Sequence, residues 1–240
     1  MSGKRFRRGI RGVVAFVWVL VSGGALAHGY WVERAAGDRF VLYQGHLYAA
    51  HAGDERVAYD PAIVKRALCA RDDGLVTAAT PVVTDAVAVA GPCRAVVFEM
   101  SSGYWSQTLA GSQNKPRTEV RGALRSWLSE ESIKHLQAWS EAFARPLGDG
   151  LELVPLADPF ALAAGQKLRV AVFWRGQPLE GATVAYDEKP RGLTGVDGGV
   201  NLKLRHAGVQ VITATFEEPL RDPRADKVIR TATLQFELKP

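Results

Sequence analysis

The chain has 240 residues, 47% of them hydrophobic, which is enough for one large or two small domains with a packed core. Its formal net charge of +5 comes from 30 Lys and Arg against 25 Asp and Glu. Residues 1–27 hold five of the basic residues and no acidic ones, so the charges of the remaining chain balance. Without a basic patch to displace counterions from phosphates, nucleic-acid binding is excluded.

Residues 1–27 have the three parts of a secretory signal. An apolar run at 13–21 and the small-residue site Ala25-x-Ala27 follow a basic segment. The basic residues are Lys4, Arg5, Arg7, Arg8 and Arg11. The apolar run is shorter than the roughly 20 residues that a membrane-spanning helix needs. We therefore predict cleavage after Ala27, rather than an uncleaved anchor, and a periplasmic protein that begins at His28.

The pattern at 28–128 predicts a first β-domain. Aromatic and β-branched runs at 30–32 and 39–43 flank an Ala-Gly-Asp turn signal, and a third run covers 95–100. This spacing is typical of an antiparallel sandwich of the immunoglobulin type. In an oxidising compartment, the two cysteines, Cys69 and Cys93, favour one disulfide over the alternative of two buried thiols.

Residues 129–147 are expected to form a helical connector. Ser129 can cap a helix, and Glu130 and Glu131 suit the positive end of its dipole. Apolar residues then recur at helical spacing: Ile133, Leu136, Trp139 and Phe143. Beyond it, short alternating strands with Gly and Pro turns predict a second sandwich at 148–240. The expected fold class is mainly β, with two β-sandwich domains and one connecting helix.

The residues that could carry chemistry are histidines. The sequence has no nucleophile elbow, phosphate loop, paired-cysteine zinc pattern or His-Glu-x-x-His, so we do not expect an enzyme. Cleavage at Ala27 would give His28 a free α-amine, which can chelate one metal ion together with Nδ1 of the same residue. His46 and His51 follow closely and could add imidazoles, in a site that suits nickel, copper, zinc or iron. The alternative is solvated surface histidines, which is also what we expect of His135 on the helix and His206 in a turn.

Several segments, taken in their order, resemble a known family. They are His28-Gly29-Tyr30-Trp31-Val32-Glu33, Tyr43-Gln44-Gly45-His46, Gly103-Tyr104-Trp105, Asn114-Lys115-Pro116 and 151–159. These segments resemble the periplasmic accessory components of energy-coupling-factor nickel/cobalt uptake transporters, and 176–182 with 194–198 resemble carboxypeptidase-regulatory sandwiches. The resemblance implies a nickel- or cobalt-binding protein that assists a membrane permease. Its metal-binding pattern carries over to His28 and His46, and further to His51.

Two other functions stay open at this point. A periplasmic copper carrier, or a copper enzyme with an N-terminal histidine brace, would use the same amine and imidazole groups, and a metal titration would separate it from a nickel protein. A metal-free scaffold would instead use Trp31, Trp105 and Trp174 for packing or contact. Such a scaffold would tolerate the loss of His28 and His46.

Overall fold

The computed structural model describes residues 29–47, 56–84 and 86–239. The predicted signal sequence, His28 and His51 lie outside these residues. Within them the chain is mainly β, as predicted, with eighteen strands and four single-turn 3-10 helices. The helices are Pro61–Ile63, Arg117–Glu119, Glu141–Ala144 and Pro159–Ala161. None of the helices in the described part of the chain is long and apolar enough to cross a membrane.

The strands are, in chain order, β1 (Gly29–Ala35), β2 (Arg39–Gly45), β3 (Arg56–Val57), β4 (Val64–Ala70), β5 (Val76–Ala78), β6 (Val82–Val83), β7 (Val87–Ala90), β8 (Ala95–Thr108), β9 (Gly111–Gln113), β10 (Arg125–Leu136), β11 (Leu151–Pro155), β12 (Lys167–Trp174), β13 (Gln177–Pro178), β14 (Thr183–Tyr186), β15 (Lys189–Leu193), β16 (Gly199–Lys203), β17 (Gly208–Asp222) and β18 (Ala225–Leu238).

These strands form three sheets within the described residues. A five-stranded sheet has the order β1-β2-β7-β6, with β3 paired to β2. A nine-stranded sheet has the order β15-β14-β17-β18-β10-β8-β4-β5, with β9 paired to β8. A four-stranded sheet has the order β11-β12-β13, with β16 paired to β12. The parallel pair β10–β18 lies at the centre of the nine-stranded sheet, and the other pairs are antiparallel.

The nine-stranded sheet is packed on both faces, which explains the composition of its central strand β10. Ile133 belongs to the core shared with Phe40 of the five-stranded sheet. Leu136, three residues on and therefore on the other face, belongs to the core shared with Leu153 and Val170 of the four-stranded sheet. A strand covered on both faces carries apolar residues on each side rather than in strict alternation.

The predicted helical connector at 129–147 is wrong. Residues up to Leu136 continue β10, which pairs with β8 on one side and β18 on the other. Only Glu141–Ala144 forms a helical turn, where Ser140 Oγ accepts a hydrogen bond from the backbone N–H of Ala142. Apolar residues spaced by three suit one face of a helix, but they also suit a strand that is buried on both faces. The sequence pattern alone does not distinguish the two.

Strands from both sides of the expected connector at 129–147 join the nine-stranded sheet. β4, β5, β8 and β9 precede it in the chain, whereas β14, β15, β17 and β18 follow it. The parallel register runs from Trp127 opposite Lys227 to His135 opposite Gln235. The division into domains at 28–128 and 148–240 stays a prediction.

Cys69 and Cys93 form the predicted disulfide, with Cα atoms 5.3 Å apart. The bridge joins β4 to the segment just before β8, and both residues are buried in the core between the five- and nine-stranded sheets. It closes a loop with a sequence separation of 24. In the chain-entropy model a loop of this size stabilises the fold by roughly 3 kcal/mol.

Candidate metal-binding cavity

The open end of the β1–β2 hairpin brings the start of β1 next to the end of β2. The antiparallel register pairs Gly29 with Gly45, and His46 directly follows this pair in the chain. In the sequence His28 directly precedes it. Two of the three predicted metal ligands are therefore the chain neighbours of a single cross-strand pair.

A cavity of about 80 Å³ lies at this end of the hairpin. It is formed by the hairpin, by the turn between β14 and β15, and by β17. Its lining residues are Gly29, Tyr30, Trp31, Gly45, His46, Leu47, Asp187, Glu188, Val211 and Thr213. One histidine and two acidic residues, of types that can bind a divalent cation, thus line the same cavity.

The carboxylates come from a tight turn in the second half of the chain. Tyr186 pairs with Lys189, which leaves Asp187 and Glu188 as a two-residue hairpin loop. Their φ angles are +49° and +61°, as in a type I′ turn, where Asn-Gly is the usual sequence. Asp tolerates this left-handed conformation, but for Glu it costs on the order of 1–2 kcal/mol.

His206 fixes the orientation of the Asp187 carboxylate. Its Nε2 lies 3.2 and 3.3 Å from the two carboxylate oxygens, and its ring stacks on Tyr186 at 5.9 Å. The Nδ1 atom lies 2.9 Å from the carbonyl oxygen of Ala207 and 3.2 Å from the side-chain nitrogen of Gln210. The pKa of His206 is raised, first by the bond to Ala207 and further by Asp187. His206 does lie in a bend, as predicted, but its contact with Asp187 has no signal in the sequence.

His135 is buried, whereas the sequence predicted a solvated helix position. Its ring packs on Phe40, with centroids 5.9 Å apart. Neither ring nitrogen makes a hydrogen bond of good geometry within the described part of the chain. Burial lowers the pKa of His135 to about 4, which the nearby Gln137 side chain offsets only in part. His135 is therefore neutral at pH 7 and belongs to the core.

Glu131 lies on the same face of β10 as His135. It was expected near the start of a helix, where the dipole would have favoured its charge. In the strand, burial instead raises the pKa of Glu131 to about 7, and a hydrogen bond from Ser129 Oγ at 3.4 Å lowers it only slightly. Burial also raises the pKa of the Tyr30 phenol of β1, and the charge of Glu131 raises it further.

A larger cavity of about 210 Å³ is less suited to a transition metal. Two of its three glutamates already bind arginines: Glu99 receives two hydrogen bonds of 2.8 Å from Arg66, and Glu130 one of 2.7 Å from Arg230. No histidine of the described residues lines it. The permanent charges of these guanidinium groups neutralise the carboxylates, which then attract a cation less strongly.

The tryptophans that the scaffold interpretation singled out have different surroundings. Trp31 is 2% exposed and is a core residue. Trp105 lies parallel to Trp127, with ring centroids 6.5 Å apart. Trp174 packs beneath the guanidinium of Arg230 at 4.1 Å. These contacts account for packing and leave the scaffold function open.

Three or more His, Cys, Asp or Glu side chains do not come close enough to form a metal-binding group among residues 29–47, 56–84 and 86–239. His46, Asp187 and Glu188 share a cavity without forming a closed cluster. Sequence reasoning missed the two acids because they lie about 140 positions from His46 in the chain. The only local signal was an acidic pair directly after a short β-branched and aromatic run, which forms β14 and ends at Tyr186.

The fold and this cavity define a mainly β protein with a histidine and two carboxylates at one sheet end. The chain belongs to a family known by a domain of unknown function, DUF4198, which matches residues 44–218. The matched range includes His46, Asp187 and His206. No curated protein and no solved structure matches the chain.

Proposed function

We propose that this protein is a periplasmic nickel- or cobalt-binding protein that assists metal uptake by a membrane transporter. The observation that carries the proposal is the Gly29–Gly45 pair. His28 and His46 are its chain neighbours, and it opens on a cavity that His46 shares with Asp187 and Glu188. The proposed ligands are His28 and His46, with His51 as a further imidazole.

The chemistry of this donor set fits the two metals. Imidazole and amine nitrogens suit nickel, and tetragonal sites with nitrogen and oxygen ligands are typical of Ni²⁺ and Cu²⁺. Both nitrogen types must lose a proton to bind, with unperturbed pKa values of about 6.5 for imidazole and 7.7–8.0 for an α-amine. Metal affinity should therefore rise as the pH increases from about 6 to 8.

The disulfide supports the proposed location. Disulfides persist in oxidising compartments such as the bacterial periplasm and are rare in the cytosol. Cys69 and Cys93 are joined in the core, so the bond forms part of the folded structure rather than an exposed redox pair. An exported protein is also the setting in which a signal peptidase would expose the amine of His28.

The experiment is a calorimetric titration of the exported protein with Ni²⁺, Co²⁺, Cu²⁺ and Zn²⁺. Mass spectrometry first establishes whether the mature chain begins at His28. We expect one Ni²⁺ or Co²⁺ per chain, and at least tenfold weaker binding after His46→Ala, by analogy with the effect of losing groups that support a metal site.

An added N-terminal alanine is the matched control for the amine. It leaves every side chain unchanged but moves the α-amine away from His28, and so removes the six-membered chelate. Unchanged Ni²⁺ affinity in this variant would contradict an amine ligand. Tight binding of Cu²⁺ alone would replace the nickel proposal with the copper one.

A further inference from the structure

The turn between β14 and β15 contributes to the same cavity as His46, although the two lie far apart in the chain. Asp187 and Glu188 both line this cavity, and they come from the nine-stranded sheet, whereas His46 extends the five-stranded one. A ligand bound there would contact both sheets. The donors predicted from the sequence all lie between His28 and His51, so none of them explains why two acids also line this cavity.

The two acids differ in how they are held. His206 contacts both carboxylate oxygens of Asp187 through Nε2, and its own ring is fixed by Ala207 and by stacking on Tyr186. A carboxylate has about four lone-pair sites, so this contact leaves Asp187 free to bind a cation as well. Carboxylates that ligate metals are themselves usually hydrogen-bonded, which fixes their orientation and their basicity.

We propose that Asp187 is a metal ligand at this cavity, together with His46, and that His206 is the residue that positions its carboxylate. This inference rests on the proposed function, namely that the cavity binds Ni²⁺ or Co²⁺. An anionic oxygen ligand offsets one of the two positive charges of the ion. It also makes the ion a bridge between the β1–β2 hairpin and the β14–β15 turn.

The test compares Asp187→Asn with Glu188→Gln, using Ni²⁺ alone in calorimetry and Co²⁺ alone in absorption spectroscopy. Each substitution removes one negative charge from the same cavity, so the pair separates coordination from a general electrostatic effect. We expect Asp187→Asn to weaken Ni²⁺ binding by about tenfold or more, and Glu188→Gln to weaken it by less than about threefold. Equal losses in the two variants would overturn the assignment of Asp187 as a ligand.

The visible absorption spectrum of bound Co²⁺ distinguishes a ligand from a positioning residue. At saturating Co²⁺, Asp187→Asn should change the ligand-field bands because an anionic carboxylate donor is replaced by a neutral amide. His206→Ala should lower the affinity but leave the bands as in the wild type, because the donor set is unchanged. An unchanged spectrum in Asp187→Asn would overturn the proposal.

His46→Ala separates this inference from the proposed function. If His46→Ala loses Ni²⁺ and Asp187→Asn binds like the wild type, the role of Asp187 fails while the metal-binding function stands. If the wild-type protein binds neither Ni²⁺ nor Co²⁺, both fail. Thermal unfolding of each variant without metal establishes that the fold is retained.

Discussion

Neighbouring residues of β10 lie on opposite faces of the nine-stranded sheet and have contrasting surroundings. Lys134, 1% exposed, donates to the Glu152 carboxylate at 2.8 Å and to the carbonyl oxygens of Phe143 and Arg145 at 3.2 and 3.3 Å. His135, 8% exposed on the other face, has no well-formed hydrogen bond among the described residues. The ammonium group of Lys134 thus has hydrogen-bond partners, whereas the imidazole of His135 has none of good geometry within the described part of the chain.

The difference follows from what covers each face. Around Lys134, the face that packs on the four-stranded sheet is also covered by the segment 137–150, whose backbone groups are not paired in a sheet. Lys134 binds two of its carbonyls, and Glu152 accepts hydrogen bonds from the N–H groups of Leu147 and Gly148. The face of His135 is covered by a sheet whose backbone groups mostly pair with each other. Lys134 is therefore satisfied by backbone groups of irregular chain, whereas the covering sheet has few unpaired backbone groups to offer His135. The N–H and carbonyl groups of Val32 in that sheet already bond the side chain of Gln235, which lies opposite His135 in the register.

Removing the buried ion pair between Lys134 and Glu152 should have the largest effect on stability. Lys134→Met leaves the Glu152 carboxylate buried without its cation, and removing one partner of a buried ion pair typically costs about 3–5 kcal/mol. The measurement is urea unfolding followed by circular dichroism at pH 7. The control is Lys134→Met combined with Glu152→Gln, which should recover part of the loss because the amide oxygen still accepts from Leu147. A single variant within about 1 kcal/mol of the wild type would contradict this account.

The buried imidazole of His135 should make the free energy of unfolding fall at acidic pH. Its folded-state pKa of about 4 lies below the ordinary 6.5, so the unfolded chain takes up the proton first as the pH falls. The stabilisation is complete above about pH 6.5 and is lost as the pH falls through 4, by on the order of 3 kcal/mol. Urea unfolding between pH 4 and 7 measures it. In His135→Leu this loss should be absent. If the unfolding free energy of the variant depended on pH as steeply as that of the wild type, another group would be responsible.

Glu131 on the same face should give a smaller effect of opposite sign. Its folded-state pKa of about 7 lies above the ordinary 4.5, so its contribution is complete below pH 4.5 and is lost as the pH rises through 7. Because Glu131 is partly exposed, we expect a change on the order of 2 kcal/mol. Glu131→Gln should flatten the stability curve between pH 5 and 8, measured by urea unfolding. Wild-type and variant curves that stay parallel over this range would refute the assignment.

Much of the fold follows from local patterns. The runs at 39–43 and 95–100 are strands, as are the alternating segments after Leu151, because β-branched and aromatic residues between Gly and Pro turns favour extended backbone. The stretch 129–136 was assigned to a helix because apolar residues spaced by three fit a helix as well as a doubly covered strand. The deciding interactions are the pairings with β8 and β18, and β18 lies about 100 positions further along the chain.

In the candidate site, too, one residue could be predicted from the sequence and another could not. His46 could be found from its place just after a strand, and the pairing of Gly29 with Gly45 explains why it adjoins the start of β1. Asp187 could not be found, because an acid in a tight turn is ordinary in any sequence. Its place beside His46 depends on how the hairpin end lies against β14 and β17.

The sequence by itself determined the β class, the Cys69–Cys93 bridge and the histidine at the hairpin end, because each depends on residue type and on short-range spacing. The tertiary structure alone decided that β10 is a strand, that Lys134 is paired while His135 is not, and that Asp187 lies in the cavity of His46. Those outcomes depend on which segments cover each face of the nine-stranded sheet. Burial and long-range pairing are properties of the packed chain, and local sequence carries too little information to specify them.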